Sequence, residues 1–331
     1  MKKTLAILLA LSVLMSALLF AGCTQTAATI STETSASETT TTAATSAATT
    51  ESESTKISVT DMSGRKITLD GPAGKIVALM PSDCEILYAI GAGDTLVGRG
   101  EYCDYPVEVS DLPAVKSGPE TNIEEIIALQ PEVVVMSMMA QTQAQVEALE
   151  KAGITVVASD AISIAGVYEA ISLIGAVTGK SSEAEQVVAQ MKVTFAEIAA
   201  KSAANNGKSI YFEVSPLQYG LWTAGKGTFM DELAGMIGLT NAFADVEGWG
   251  EITQEQVIER DPDYIVTIAM YFGEGVKPVD EILDRDGWQN MKAIKNQTIF
   301  NADSNEISRP GPRLAEAIQA LDEFVNPAGA Q

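Results

Sequence analysis

The chain has 331 residues, 46% of them hydrophobic, and carries a formal charge of −23. That is apolar material for one large or two medium cores, while the acidity argues against a nucleic-acid partner, whose phosphates it would repel. Histidine is absent, which excludes a histidine triad and a His-ligated zinc or haem site, and removes the usual general base near neutral pH.

Lys2 and Lys3 precede an apolar run from Thr4 to Phe20, which ends in Phe20-Ala-Gly-Cys23. A transmembrane anchor and an ordinary cleaved leader are the competing readings. A cysteine directly after small residues predicts a lipoprotein signal peptide over 1–22 and lipidation at Cys23, although Phe20 stands where leucine is usual. Residues 24–55 are almost entirely Ser, Thr, Ala and Glu. Such a stretch buries too little apolar surface to order itself, so 23–55 is expected to be a disordered, lipid-anchored tether.

From residue 56 short apolar runs alternate with helical patterns. Lys75 to Met80 reads as a strand, and Ser82-Asp-Cys-Glu85 as a capping box opening a helix that ends near Gly91. Leu96 to Gly98 is a further strand. TNIEEIIALQPEVVV, residues 121–135, then predicts a cap at Thr121, a helix to Leu129, a proline stop and a buried strand from Glu132 to Met136. This order implies a mainly parallel sheet with helices on both faces.

After Lys208 the pattern restarts. Ile210 to Val214 is a strand, Thr228 to Ile237 a helix, and ITQEQVIERDPDYIV, residues 252–266, repeats the earlier unit before a strand from Tyr264 to Ile268. Glu255 matches Glu124 and Pro262 matches Pro131. One plan used twice predicts two lobes, 56–178 and 206–331. Between them Ala184, Val188, Met191, Phe195 and Ile198 form one apolar stripe, the mark of a long helix within 179–205. The expected fold is therefore α/β, two Rossmann-like lobes joined by one rigid helix with a ligand cleft between them.

Cys84 and Cys103 lie near predicted strand ends of the first lobe; outside the cytoplasm they could pair, or remain as two buried thiols. No Gly-x-Ser-x-Gly elbow or P-loop is present, and a cysteine nucleophile would lack a histidine partner. No catalytic residue and no resident metal are expected.

In this order and spacing, Asp61-Met-Ser-Gly-Arg-Lys66, Tyr102-Cys-Asp-Tyr-Pro106, the two Glu-bearing helices and Ser308-Arg-Pro-Gly-Pro-Arg-Leu314 resemble the substrate-binding lipoproteins of ABC importers. More closely, they resemble the class with a single linking helix, which handles cobalamin, ferric siderophores and haem. The resemblance spans about residues 56–326. It implies a monomer on the extracytoplasmic face of the membrane, without a covalent cofactor, that carries a cobalt- or iron-containing chelate. Its partner would be a permease dimer with ATPase subunits, docked through one carboxylate per lobe, here Glu124 and Glu255. Both also lie in a first helical turn, where the helix dipole favours an acid in any case.

The resemblance further implies ligand contacts at Tyr102, Trp222 and Trp249, with Asn305 capping from the second lobe. Asp104, Tyr105 and Tyr271 fall in the same loops, at the C-terminal ends of strands, where open α/β sheets bind ligands. Aromatic faces with a few polar anchors suit a flat, bulky chelate. One departure stands out: the first lobe has Gly118 and Ser137 where cobalamin binders carry tryptophans. A ferric siderophore therefore stays open beside a corrinoid, with haem less favoured. Arg99, Lys116, Lys226 and Arg309 are candidate partners for an anionic chelate. A sensing or adhesive surface lipoprotein is the alternative from another functional class.

Overall fold

The computed structural model describes residues 56–327; the signal peptide, Cys23 and the tether lie outside that range. The first element is an antiparallel hairpin, Ile57–Thr60 with Lys66–Leu69. Its turn is held by the buried Asp61 carboxylate, which accepts from the backbone N–H of Arg65 at 2.9 Å and of Ala158 at 3.1 Å. The same acid thus caps the turn and fastens the hairpin to the first lobe's sheet.

That sheet has five strands, all parallel, in the order Ala114–Val115, Leu96–Gly100, Ile76–Ala78, Val133–Met136, Thr155–Ala158. Val133–Met136 is buried at every position, as a continuous Val-rich run must be when helices cover both faces. The second sheet is mixed. Ser209–Ser215, Tyr264–Thr267 and Ile299–Asn301 run parallel, with Thr240–Asn241 added on Ser209–Ile210. Leu221–Ala224 and Trp249–Ile252 complete it antiparallel. The sheet is thus mainly parallel, as expected, and its antiparallel part arises because only a short turn at Leu217–Tyr219 separates Ser215 from Leu221, and a connection that short returns the chain only antiparallel.

The repeated units occupy equivalent places. Ile123–Ala128 leads to Val133–Met136 beside the first strand of one sheet, and Gln254–Arg260 leads to Tyr264–Thr267 beside the first long strand of the other. Each helix ends in a residue with positive φ, Gln130 or Asp261, directly before the proline. Two expected caps are corrected. Asn122, not Thr121, caps the first unit, accepting from the N–H groups of Glu124 and Glu125, while the Thr121 hydroxyl donates to the Gly118 carbonyl. The helix Pro81–Ala89 starts at a proline with no side-chain cap, so Ser82 and Glu85 lie inside it. Proline needs no N–H at that position and makes a capping box unnecessary.

Helix Ser181–Ala199 links the lobes and buries all five residues of the expected stripe. It spans about 28 Å at 1.5 Å per residue. It packs on Ile164–Val177 from one side and on Phe229–Met236 and Leu314–Val325 from the other. One apolar core runs through these helices into both lobes, so bending the link would expose buried surface along its length.

Candidate functional site

The C-terminal ends of the two sheets' parallel strands face each other. Met80, Ser82, Ser137 and Ser159 leave the first; Met270, Phe272 and the segment 304–310 leave the second. Between them lie a cavity of about 510 Å³ and one of about 230 Å³, which share Met80, Ser82, Ser308 and Pro310. A third, of about 690 Å³, opens off the cleft into the second lobe through Met270, Phe272 and Ser304. Together they make a continuous groove of chelate size.

Its floor on the first lobe is polar. The Ser137 hydroxyl donates to Asp160 Oδ1 at 2.5 Å and the Met138 N–H to Oδ2 at 3.2 Å. Behind them Asp83 is 1% exposed, with one carboxylate oxygen unpartnered. Burial pushes its pKa up to about 7, against the pull of the Ser159 hydroxyl. In the second lobe the floor is an ion triad. Arg285, 4% exposed, donates to both oxygens of Glu213 at 2.6 and 2.8 Å and to Glu281 Oε1 at 2.9 Å. Burial raises the Glu213 pKa; the Arg285 hydrogen bonds oppose that shift.

Where the lobes meet, Glu85 is 3% exposed and takes Arg309 Nη1 at 2.9 Å, Arg313 Nε at 2.9 Å and Arg313 Nη2 at 2.6 Å. Arg309 also donates to Asp104 Oδ1 at 2.7 Å and Asn305 Oδ1 at 2.6 Å. Burial disfavours the Arg309 charge, yet Asp104 and Glu85 outweigh it and raise its pKa. This clamp joins residues more than 200 positions apart and closes one side of the groove.

Of the expected ligand contacts, Tyr102, Asp104 and Asn305 line the 510 Å³ cavity and Trp249 the 230 Å³ cavity. Tyr102 is 66% exposed at the rim; Trp249 meets Phe229 edge-on, with ring centroids 5.5 Å apart. Tyr105 turns away and lies 4.1 Å under the Arg313 guanidinium. Trp222, 41% exposed, stands across from Glu251 on the antiparallel ribbon. Tyr271 lies between two lining residues without lining a cavity itself. Glu124 and Glu255 are exposed at the starts of their helices.

Three of the four candidate cations are paired with the protein's own carboxylates, and the fourth with backbone carbonyls. Arg99 donates through Nη1 and Nη2 to the carbonyls of Gly100, Glu101 and Ser110, while its buried Nε has no partner. Lys116 pairs with Glu120, Lys226 with Glu247, and Arg309 with Glu85 and Asp104. Cys84 and Cys103 are buried free thiols converging on the Ala78 carbonyl, at 3.8 and 3.9 Å. The contact with Cys103, then burial, pushes the Cys84 thiol well up, which removes nucleophilic character. Sequence reasoning missed Glu85, Arg313, Asp83 and the Glu213–Arg285–Glu281 triad. The one available signal was the four-residue spacing of Arg309 and Arg313.

Residues 76–306 match the family model described as periplasmic binding protein. The chain belongs to the periplasmic binding protein family. An uncharacterized ABC transporter substrate-binding lipoprotein of Bacillus subtilis is 36% identical over 271 residues, 80% of this chain and 84% of that protein. The vitamin B12-binding protein of Salmonella choleraesuis is 29% identical over 253 residues, covering 75% and 89%. A solved structure of a possible iron-binding, periplasmic solute-binding protein of Staphylococcus epidermidis superposes with a TM-score of 0.65 at 29% identity, covering 77% and 99%. This periplasmic binding protein is thus an extracytoplasmic substrate-binding component of an ABC transporter, not an enzyme.

Proposed function

We propose that this protein captures a bulky metal chelate in the interlobe groove and delivers it to a permease dimer driven by ATPase subunits, with a corrinoid as the first candidate. The carrying observation is the groove itself, walled by both lobes, with Tyr102 and Asp104 on one side and Trp249, Phe272 and Asn305 on the other. Tyr105, Trp222 and Tyr271 flank it as outer contacts. The relative that binds vitamin B12 supports a corrinoid. A ferric siderophore is the second reading. It is favoured by the iron-binding neighbour and by Gly118 and Ser137, which leave the first lobe without flat surfaces there.

Glu124 and Glu255, exposed at matching positions of the two lobes, would grip the two permease subunits, and Cys23 would hold the protein at the membrane as a lipoprotein. Titrating the purified protein with cyanocobalamin, a ferric trihydroxamate and haem, read by Trp249 fluorescence, is expected to give submicromolar binding of one class. Failure of all three would overturn the reading. Glu124→Ala with Glu255→Ala should leave that affinity within about twofold and abolish uptake in cells; unchanged uptake would remove the docking role.

A further inference from the structure

We infer that the groove selects chelates by charge: it accepts those with a neutral or cationic periphery and rejects those that present free carboxylates or other anionic arms. This rests on the chelate-binding reading and narrows it.

Besides Asp83, six carboxylates stand on or directly behind the groove wall, Glu85, Glu101, Asp104, Asp160, Glu213 and Glu281, against three guanidiniums, Arg285, Arg309 and Arg313. The imbalance matters less than the saturation. Arg285 already serves two carboxylates. Arg313 serves Glu85 and the Asn305 carbonyl. Arg309, the one guanidinium lining these three cavities, divides its donors among Glu85, Asp104 and Asn305.

An incoming carboxylate could take the Nη1 and Nη2 donors of Arg309, the guanidinium that lines the groove, only by displacing Glu85, Asp104 or Asn305. The displaced group would be left unpaired, in part inside the fold, where an uncompensated charge is most costly. The remaining acids would repel the newcomer at short range in a poorly screened groove. The acceptors in the wall, by contrast, suit N–H donors and cations. Asp160 and Glu281 line the cavities with each oxygen accepting a single hydrogen bond, which leaves acceptor capacity, and aromatic faces at Phe272 and Tyr219 accept either. A chelate fringed with primary amides, or one bearing an ammonium group, fits this wall; one fringed with ionised acids does not.

Two matched pairs test the inference with the full protein. One is cyanocobalamin against its monocarboxylic acid, in which a single side-chain amide is hydrolysed. The other is a ferric linear trihydroxamate with a free amine against its N-succinyl form. In whichever pair binds, the amide or amine member should bind roughly tenfold or more tightly, and the gap should shrink as salt rises. Asp104→Asn, which releases one donor set of Arg309, and independently Glu281→Gln, which does the same for Arg285, should narrow the gap severalfold by improving the anionic member. Equal or tighter binding of the anionic member by the unsubstituted protein would overturn charge selection while leaving the chelate reading intact. No binding by either pair would overturn this inference; only if haem failed as well would the chelate reading fall with it.

Discussion

The two lobes repeat one plan but divide the work unequally. The first has a uniformly parallel five-stranded sheet and meets the groove with small polar groups, Ser82, Ser137, Ser159 and Asp160. The second breaks its parallel sheet with an antiparallel ribbon and contributes the larger cavity, lined by the exposed Tyr219, Met270 and Phe272. Each lobe therefore adds its own polar group to the groove floor, the Ser137–Asp160 pair in the first and the Glu213–Arg285–Glu281 triad in the second. The comparison teaches that a duplicated scaffold can fix where the loops emerge while leaving each lobe's loops free to differ.

The two buried ion clusters offer the hardest test of that division. Glu85 ties the lobes together, whereas Glu213 serves the second lobe alone. Glu85→Ala would strand the Arg313 guanidinium and leave Arg309 only Asp104 as an acid, and a loss of about 3–5 kcal/mol is expected on breaking such a buried cluster. Chemical denaturation should show it together with a looser lobe interface in hydrogen exchange. Glu213→Ala leaves Arg285 its Glu281 partner and should cost less, without loosening the interface. If the Glu213 variant proved the more damaging, the clamp would not be what holds the lobes.

A second contrast lies within the first lobe. Asp83 titrates near 7 in the fold against about 3.8 when free, so the folded state holds its proton more tightly. This contribution to stability is complete below about pH 4, declines as pH rises towards 7, and is gone above it, at about 1.4 kcal/mol per pKa unit. Asp83→Asn should flatten that part of the stability–pH profile; an unchanged profile would show that Asp83 stays ionised. Smallest of all, Lys226→Ala removes an exposed pair with Glu247 and should shift stability by less than about 1 kcal/mol. A larger thermal shift would show that the rim charges carry structure.

Much of the scaffold was legible because its signals are local. The stripe from Ala184 to Ile198 buried as its spacing required, since helical periodicity alone decides which face can meet a core. The repeated units located a matching helix and strand in each lobe. The caps were less legible: Thr121 and Asn122 are both capable, and only the path of the chain from Gly118 chose between them. Within the candidate site, aromatic loops could be found by their place after strands. Glu85 could not, because the same residue that would complete a capping box can equally take guanidiniums from 224 and 228 positions away.

By itself the amino-acid order determined the α/β alternation, the linking helix and the equivalence of the two acidic helix starts, all consequences of short-range periodicity and turn chemistry. Tertiary structure alone decided which charges cancel. Coulomb attraction depends on distance through space rather than along the chain, so neither the clamp nor the pairing of Arg309 in the groove is written in any local pattern.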